Sequence, residues 1–356
     1  AIPLTDDINI QAALRYEDYG GFVGSTLDPK VAVSWELSDT LSLRASASTT
    51  FRGPPQSFLA GTGTALSYVS YTSAFKAIDT VGNPTLTSES AVSTNFGAIY
   101  QNEGLYASVD WWSFTFDDSF QTEGFNSLLG AYAGNGCTGS DGVATDSATC
   151  NELRTHIFPV AAHTNLGATE RVAVNIINGE EITTSGIDVA IRYSIEDLLP
   201  GTLGLALEGT YVLEYERADQ LDISGAIVLA TGGDLVGKLN YNAGPSFTSK
   251  PELKLNATVS FETQSHYASL AARYIGDYDD TGATAAYPWL ATVDSQVTLD
   301  AHYLFNGIDN LTIGLSALNL TDEDPPAARG DLNYDPFTHN AFGRMIKADI
   351  TFRMPQ

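Results

Sequence analysis

Along most of this chain, apolar and polar residues take turns. In the segment 346–353, Ile346, Ala348, Ile350 and Phe352 fall on one face, and Lys347, Asp349, Thr351 and Arg353 on the other. Segment 252–262 sets Leu253, Leu255, Ala257, Val259 and Phe261 against Lys254, Asn256, Thr258, Ser260 and Glu262. Successive side chains of a β-strand point to opposite faces, so each such stretch sits between an apolar phase and a wet one. The pattern recurs at 8–17, 30–36, 41–51, 89–100, 105–116, 182–195, 203–216, 267–278, 295–305 and 311–320, with one more strand near 171–177. It predicts about twelve amphipathic strands. In 203–216 the residues Leu203, Leu205, Leu207, Tyr211, Leu213 and Tyr215 are expected to share one side. The alternation breaks near Trp111–Trp112, which predicts a β-bulge or the point where the strand leaves the apolar phase.

The connections carry as much information as the strands. Short turns fall at 37–40, 101–104, 197–202, 263–266 and 306–310, and long loops around 52–88, 117–181, 217–250, 277–294 and 321–341. Short turns on one rim and long loops on the other are the layout of an antiparallel transmembrane β-barrel, with the long loops facing the exterior. Strands of roughly nine to twelve residues suit a tilted bilayer crossing. Tyr16, Trp35, Tyr100, Tyr193, Tyr215, Tyr267, Tyr274 and Phe352 lie near predicted strand ends, as an interfacial girdle would. No apolar run approaches the ~18–20 residues of a membrane helix. Alternation alone would also fit a soluble sandwich with aromatics in its core.

Charge narrows the partners. The chain carries 17 basic and 43 acidic residues, a net charge of -26. Nucleic acid is excluded, because its phosphates need lysine and arginine. The balance suits a solvated surface and favours neutral or cationic ligands. The two cysteines, Cys137 and Cys150, lie in a Gly/Ser/Asp/Thr-rich segment and are expected to form a disulfide in an oxidising compartment. A zinc site would need two further ligands, and the spacing of His156 and His163 matches no common pattern. The opening residues AIPLTDDINI lack the basic and apolar regions of a signal peptide.

No catalytic constellation is present: there is no G-x-S-x-G, H-E-x-x-H, P-loop or dinucleotide fingerprint, so the chain does not read as an enzyme. No cofactor or metal is expected, apart from an open calcium reading at the acidic runs Asp277, Asp279, Asp280 and Asp322, Glu323, Asp324. Function in such an architecture falls to loops and inward-facing side chains near the outer rim. Tyr287, Trp289, Tyr334, Phe337 and His339, in the last two long loops, are the candidate substrate-binding residues; as loop aromatics they can stack on a flat ligand or pack the loops together.

Several stretches resemble TonB-dependent outer-membrane receptors. NLTDEDPP (319–326), then NYDPFTHNAFGR (333–344) and a terminal amphipathic strand, is similar to that family's last loop and last strand. ASTTFRGPPQSFL (47–59), GNPTLTSESAVSTNFGAIY (82–100) and AARYIGDYDD (271–280) follow in the family's order. Phe352 is followed by Arg353, Met354, Pro355 and Gln356, where the family ordinarily ends on an aromatic residue. The resemblance implies the second half of a 22-strand barrel, so that 1–356 would be a partial barrel domain without plug or TonB box. It further implies the Gram-negative outer membrane and its lipids. Its partner would be the TonB–ExbB–ExbD complex, engaged through the N-terminal part, and its cargo a scarce small-molecule substrate such as a siderophore, vitamin, oligosaccharide or peptide. Whether a surface lipoprotein caps the barrel is left open, as are two other functions: a self-contained passive pore and a secreted β-rich binding module.

Overall fold

In the computed structural model, which describes residues 2–3, 5–21, 23–139, 143–198, 200–240, 248–281, 288–329 and 332–354, twelve long strands form one antiparallel sheet. They are β1 (Ile8–Asp18), β2 (Ser25–Ser38), β3 (Leu41–Arg52), β4 (Glu89–Asn102), β5 (Leu105–Asp117) and β6 (Ile182–Leu198). The rest are β7 (Gly201–Arg217), β8 (Leu253–Thr263), β9 (His266–Ile275), β10 (Gln296–Ile308), β11 (Leu311–Leu318) and β12 (Met345–Phe352). Each strand pairs with its neighbours in sequence, and the short Ile2–Pro3 and Gly233–Asp234 strands add to β1 and β7. Among the described residues no pairing joins β12 back to β1.

Strand register strings the apolar positions into a belt. Ile10 stands opposite Val33, Val33 opposite Ala45, Ala45 opposite Phe96, and Phe96 opposite Trp111. The row continues through Ile187, Tyr211 and Leu253. Farther round, Val259, Leu270, Ala301, Ala317 and Ile346 oppose one another in turn. A one-residue slip in any pair would turn its apolar row to the wet side, so the belt and the register specify each other. Phe96 is 57% exposed, Leu270 46% and Ile346 71%. A sandwich buries such a face against a second sheet; here the face is bare, as a lipid-contacting one is.

The rims are unequal. Five connections of two residues (39–40, 103–104, 199–200, 264–265 and 309–310) lie on one, and the long ones on the other. At Glu103 and Gly104 both φ angles are positive, 39° and 84°, the mirror-image turn that matches strand twist.

Three details differ from the sequence pattern. No bulge interrupts β5, whose register runs unbroken against β4 and β6. Beyond Trp111 its outward positions are Ser113 and Thr115, so the strand has left the apolar phase there, while Trp112, Phe114 and Phe116 point inward. The bulge lies on β7 instead, between Tyr211–Val212 and Glu214, and turns Tyr215 onto the inner face, away from Tyr211. Tyr267, opposite Glu262 and beside the ring of His302, is likewise inward. The strand predicted near 171–177 exists as Arg171–Asn178, but it belongs to the loops, where it pairs in parallel with Ala74–Val81.

The long loops fold into two modules. In the first, Thr62–Val69, Ala74–Val81, Arg171–Asn178 and Ile157–Phe158 form a small mixed sheet. The helices Phe125–Gly134 and Ala148–Arg154 pack against it and against each other. The first helix forms because Phe125, Leu128, Leu129 and Tyr132 repeat at helical spacing, and the last three are buried with Val69, Val172 and Val174. The second helix is capped by the Ser147 hydroxyl, which accepts from the Cys150 amide at 3.1 Å. Cys137 and Cys150 form a disulfide inside this core, with Cα atoms 5.4 Å apart. The carboxylate of Glu123, 1% exposed, accepts from the Asn175 amide at 2.7 Å and the Ile223 amide at 2.9 Å, so one side chain ties three chain segments. The second module, cored by Leu239, Tyr278, Val293 and Ala328, joins the connections 218–252, 276–295 and 319–344. The 218–252 connection belongs to both, since its Ile227 and Leu229 pack in the first core.

Two outcomes follow from this arrangement. Val259→Arg, on the outward belt, should lower barrel stability by about 2–4 kcal/mol in urea unfolding from bilayers, whereas Thr258→Arg on the inner face should have a much smaller effect. Replacing Cys137 and Cys150 by serine should raise protease cleavage within 118–181 and leave the barrel's heat-modifiable gel migration unchanged, because the bridge constrains the loop module and not the sheet.

Candidate functional site

The inner face is built from cross-strand charge pairs. Arg44 of β3 reaches over Gly97 of β4 to Asp110 of β5, with Nε 2.7 Å from Oδ1. Gly97 is required there: a Cβ would lie 1.9 Å from that carboxylate oxygen. Arg192 bonds Glu208 with Nε to Oε1 at 3.1 Å, and Arg273 faces Asp300 at 2.5 Å. Partly exposed pairs of this kind stabilise little individually and fix side-chain direction more than energy.

Between β5 and β8 the inner face forms a concavity of about 830 Å³. Trp112 and Tyr215 supply its aromatic wall. Asp188, Thr210 and Lys254, opposite one another on three adjacent strands, form its polar lining with Asn256, and Lys250 of the 218–252 connection lies at its outer edge. Trp112 fits because position 186 of β6 is glycine, where a Cβ would come within 2.4 Å of the indole ring. Above it Phe114 and Phe116 continue an aromatic ladder, with successive ring centroids 5.8 and 6.1 Å apart. The β7 bulge brings Tyr215 in from the opposite strand, and the Lys250 ammonium lies 4.5 Å from its ring centroid. Burial, with the nearby Lys254 charge, holds Lys250 below the usual lysine range. Sequence patterning missed these residues; the signal was the double tryptophan, where inward polarity gives way to aromatics.

The second loop module closes over this edge. Ser249, on the lip of the concavity, bonds Thr338 of the last loop. Behind it Tyr278 donates to Asp335 Oδ2 at 2.7 Å, and the His339 ring contacts the Tyr278 hydroxyl at 3.0 Å and Gln296 Oε1 at 2.8 Å. Burial, then hydrogen bonding to Asp335 and its charge, pushes the Tyr278 hydroxyl far up. Burial lowers the His339 pKa; Asp335 opposes that shift and Lys254 adds to it.

The candidate loop residues thus divide. Trp289 and Phe337 are 72% and 61% exposed. Tyr334 is half-buried and bridges Ala327. His339 is buried inside the loop network, and Tyr287 lies outside the described residues. Of the acidic runs, Asp280 is buried and accepts from the Arg329 amide at 2.7 Å, while Asp322 accepts from the Arg344 amide at 2.7 Å. Among the described residues, no three His, Cys, Asp or Glu side chains are arranged to hold a metal.

A bare apolar belt, a charge-paired inner face and one rim crowned by folded loops define a bacterial outer-membrane β-barrel. The chain belongs to the TonB dependent receptor-like β-barrel family, whose model matches residues 1–320, and is an outer-membrane protein of Gram-negative bacteria. Its fold is similar to that of a mutant ferric enterobactin receptor PfeA from Pseudomonas aeruginosa, with a TM-score of 0.63 and 15% identity over 98% of this chain and 43% of the receptor. It is similar also to the siderophore receptor PirA from Acinetobacter baumannii (TM-score 0.59, 15% identity, 98% of this chain and 44% of that one). The FrpB iron transporter from Neisseria meningitidis matches with a TM-score of 0.55 and 13% identity over 98% of this chain and 43% of its own. The chain therefore spans less than half the length of the receptors it matches. A comparison with curated proteins finds no match.

The His339 network is expected to make the loops pH-sensitive. A histidine whose folded pKa is lowered from 6.5 favours the neutral form, so its contribution is present above that value and lost as pH falls below it. Hydrogen exchange in 276–281 and 332–344, corrected for intrinsic rates, should therefore accelerate between pH 7.5 and pH 5, and His339→Gln should remove the difference (the pH limits bracket, by about a unit or more, the usual histidine pKa).

Proposed function

We propose that this chain is the transmembrane arc of a receptor for active uptake across the outer membrane. Substrate is captured by the loops, with Trp289 and Phe337 presented at the exterior, and passes to the inner-face concavity below. No bond is made or broken. The energy comes from the inner-membrane TonB–ExbB–ExbD complex, acting through a part of the receptor outside this sheet. The observation that carries the reading is the concavity itself, roofed by folded loop modules on one rim of a barrel of this family.

The open edges support an arc in preference to a self-contained pore. β1 beyond its short Ile2–Pro3 contact, and β12 along its length, carry backbone groups with no strand partner among the described residues. Hydrocarbon offers them nothing, so in the membrane both edges pair with further strands. The names of the similar receptors point to iron complexes among siderophores, vitamins, oligosaccharides and peptides.

Cells expressing the whole receptor should accumulate one labelled member of that panel only when TonB is present, and the purified protein should show no steady conductance in planar bilayers. TonB-independent accumulation together with a steady open conductance would replace this reading with a passive pore.

A further inference from the structure

Strand edges that face water are ordinarily blunted by charge, proline or a bulge, since their free N–H and C=O groups template a further strand. The small sheet of the first loop module ends on Thr62–Val69, which pairs with Ala74–Val81 on one side and with no strand among the described residues on the other. Its sequence, TGTALSYV, holds no charge and no proline, and its register runs without a bulge. The Gly61 carbonyl accepts from the Gly82 amide at 2.7 Å, which sets the alternation of the ladder. The backbone groups of Thr62, Thr64, Leu66 and Tyr68 therefore point away from the sheet. Among the described residues only the Tyr68 carbonyl is met there, by the Asn126 side-chain amide at 3.5 Å. The side chains of the same four residues share the sheet face opposite the one that carries Val69, Ile78, Val172 and Val174 into the core. On that outer face Leu66 is 72% exposed and Phe75 67%, and the Phe75 ring lies edge-on to Tyr68 with centroids 5.9 Å apart. A contiguous bare apolar patch of this kind marks a contact surface. Charge narrows the partner. From Gly53 to Ile78 the one charged residue is Lys76, in a chain with 43 acidic residues. Asp79, at the border, is taken up by Arg171 and the Thr64 hydroxyl.

We propose that this edge pairs with the same edge of a second copy of the chain, antiparallel and across a twofold axis. The edge calls for an extended segment that brings no charge and sets apolar side chains on the outer face, and Thr62–Val69 itself meets that description. Two copies of charge -26 repel over most of their surfaces, and an acid-free edge is where they can approach. Full overlap of the free backbone groups sets the axis at Ala65. Thr64 then exchanges hydrogen bonds with the partner's Leu66, and Thr62 with the partner's Tyr68, so the two small sheets become one. No like charges oppose each other along the seam. The contact is isologous and therefore closes at two copies. It lies in the loops, outside the belt and the concavity, and does not depend on the uptake reading.

The test is sedimentation velocity of the whole receptor in detergent, where the wild type should be a dimer. Leu66→Pro removes an N–H that the sheet itself leaves free, so it spares the hairpin. It should weaken dimerisation about thirtyfold, two hydrogen bonds being lost across the axis. Leu66→Lys sets two cations near the axis and should weaken it in a way that added salt relieves. Ala65, exposed on its strand, faces itself across the axis at a Cα separation of about 4.5 Å. Ala65→Cys should therefore give a disulfide-linked dimer on intact cells under a membrane-impermeant oxidant, and Gly63→Cys should not. A monomeric wild type would overturn the proposal; slow amide exchange at 62–69 in that monomer would show that another part of the receptor or another polypeptide covers the edge. A dimer that both Leu66 variants leave intact, or that Ala65→Cys fails to link, would overturn it as well. If a variant does not fold, the wild-type mass and the cysteine link decide. None of these outcomes bears on TonB dependence, which the uptake measurement tests separately.

Discussion

Backbone hydrogen bonding in a medium without water governs this molecule. Each N–H and C=O that a strand carries into hydrocarbon needs a partner in the protein, because an unpaired one costs several kcal/mol. Sequential antiparallel pairing meets that demand from β1 to β12 and fixes the register. The division of side chains between lipid and interior then follows from the two-residue period. Side chains take no part in that pairing and are free to specialise, and Gly97 and Gly186 show how. Each gives up its side chain so that a neighbour, the Arg44–Asp110 pair or Trp112, can occupy the inner face.

Beyond the bilayer the same demand is met differently. The connections on the outer rim are too long to stay unstructured at no cost, and they acquire cores of their own. One is closed by the Cys137–Cys150 bridge and the buried Glu123, the other by the Tyr278, His339 and Asp335 network. The 218–252 connection contributes to both cores and ends beside Lys250, so the loops and the concavity are mechanically joined.

Net charge describes the surface as a whole, and the inner face is described by its local charges. A charge of -26 favours neutral or cationic ligands only if the surface acts as a whole. At physiological salt, however, exposed charges are screened beyond about 8 Å. What a bound molecule meets is the local set, in which Arg192 is paired with Glu208 and Arg273 with Asp300, while Lys250 and Lys254 form no ion pair among the described residues.

The sequence by itself determined the strand set, the lipid-facing belt, the unequal rims and the disulfide. These depend on local rules: a two-residue period, connection length, and two cysteines close together in the chain. It was silent on the concavity, because Trp112, Tyr215, Lys250 and Lys254 come from three strands and a loop, and a single bulge on β7 decides which way Tyr215 points. It also read the loops as irregular, although Phe125, Leu128, Leu129 and Tyr132 carried a helical period. That helix is only ten residues long with two glycines, and it holds its shape by packing on Val172 and Val174, some forty residues away. Local patterning chose the elements; contacts between residues distant in the chain chose the site.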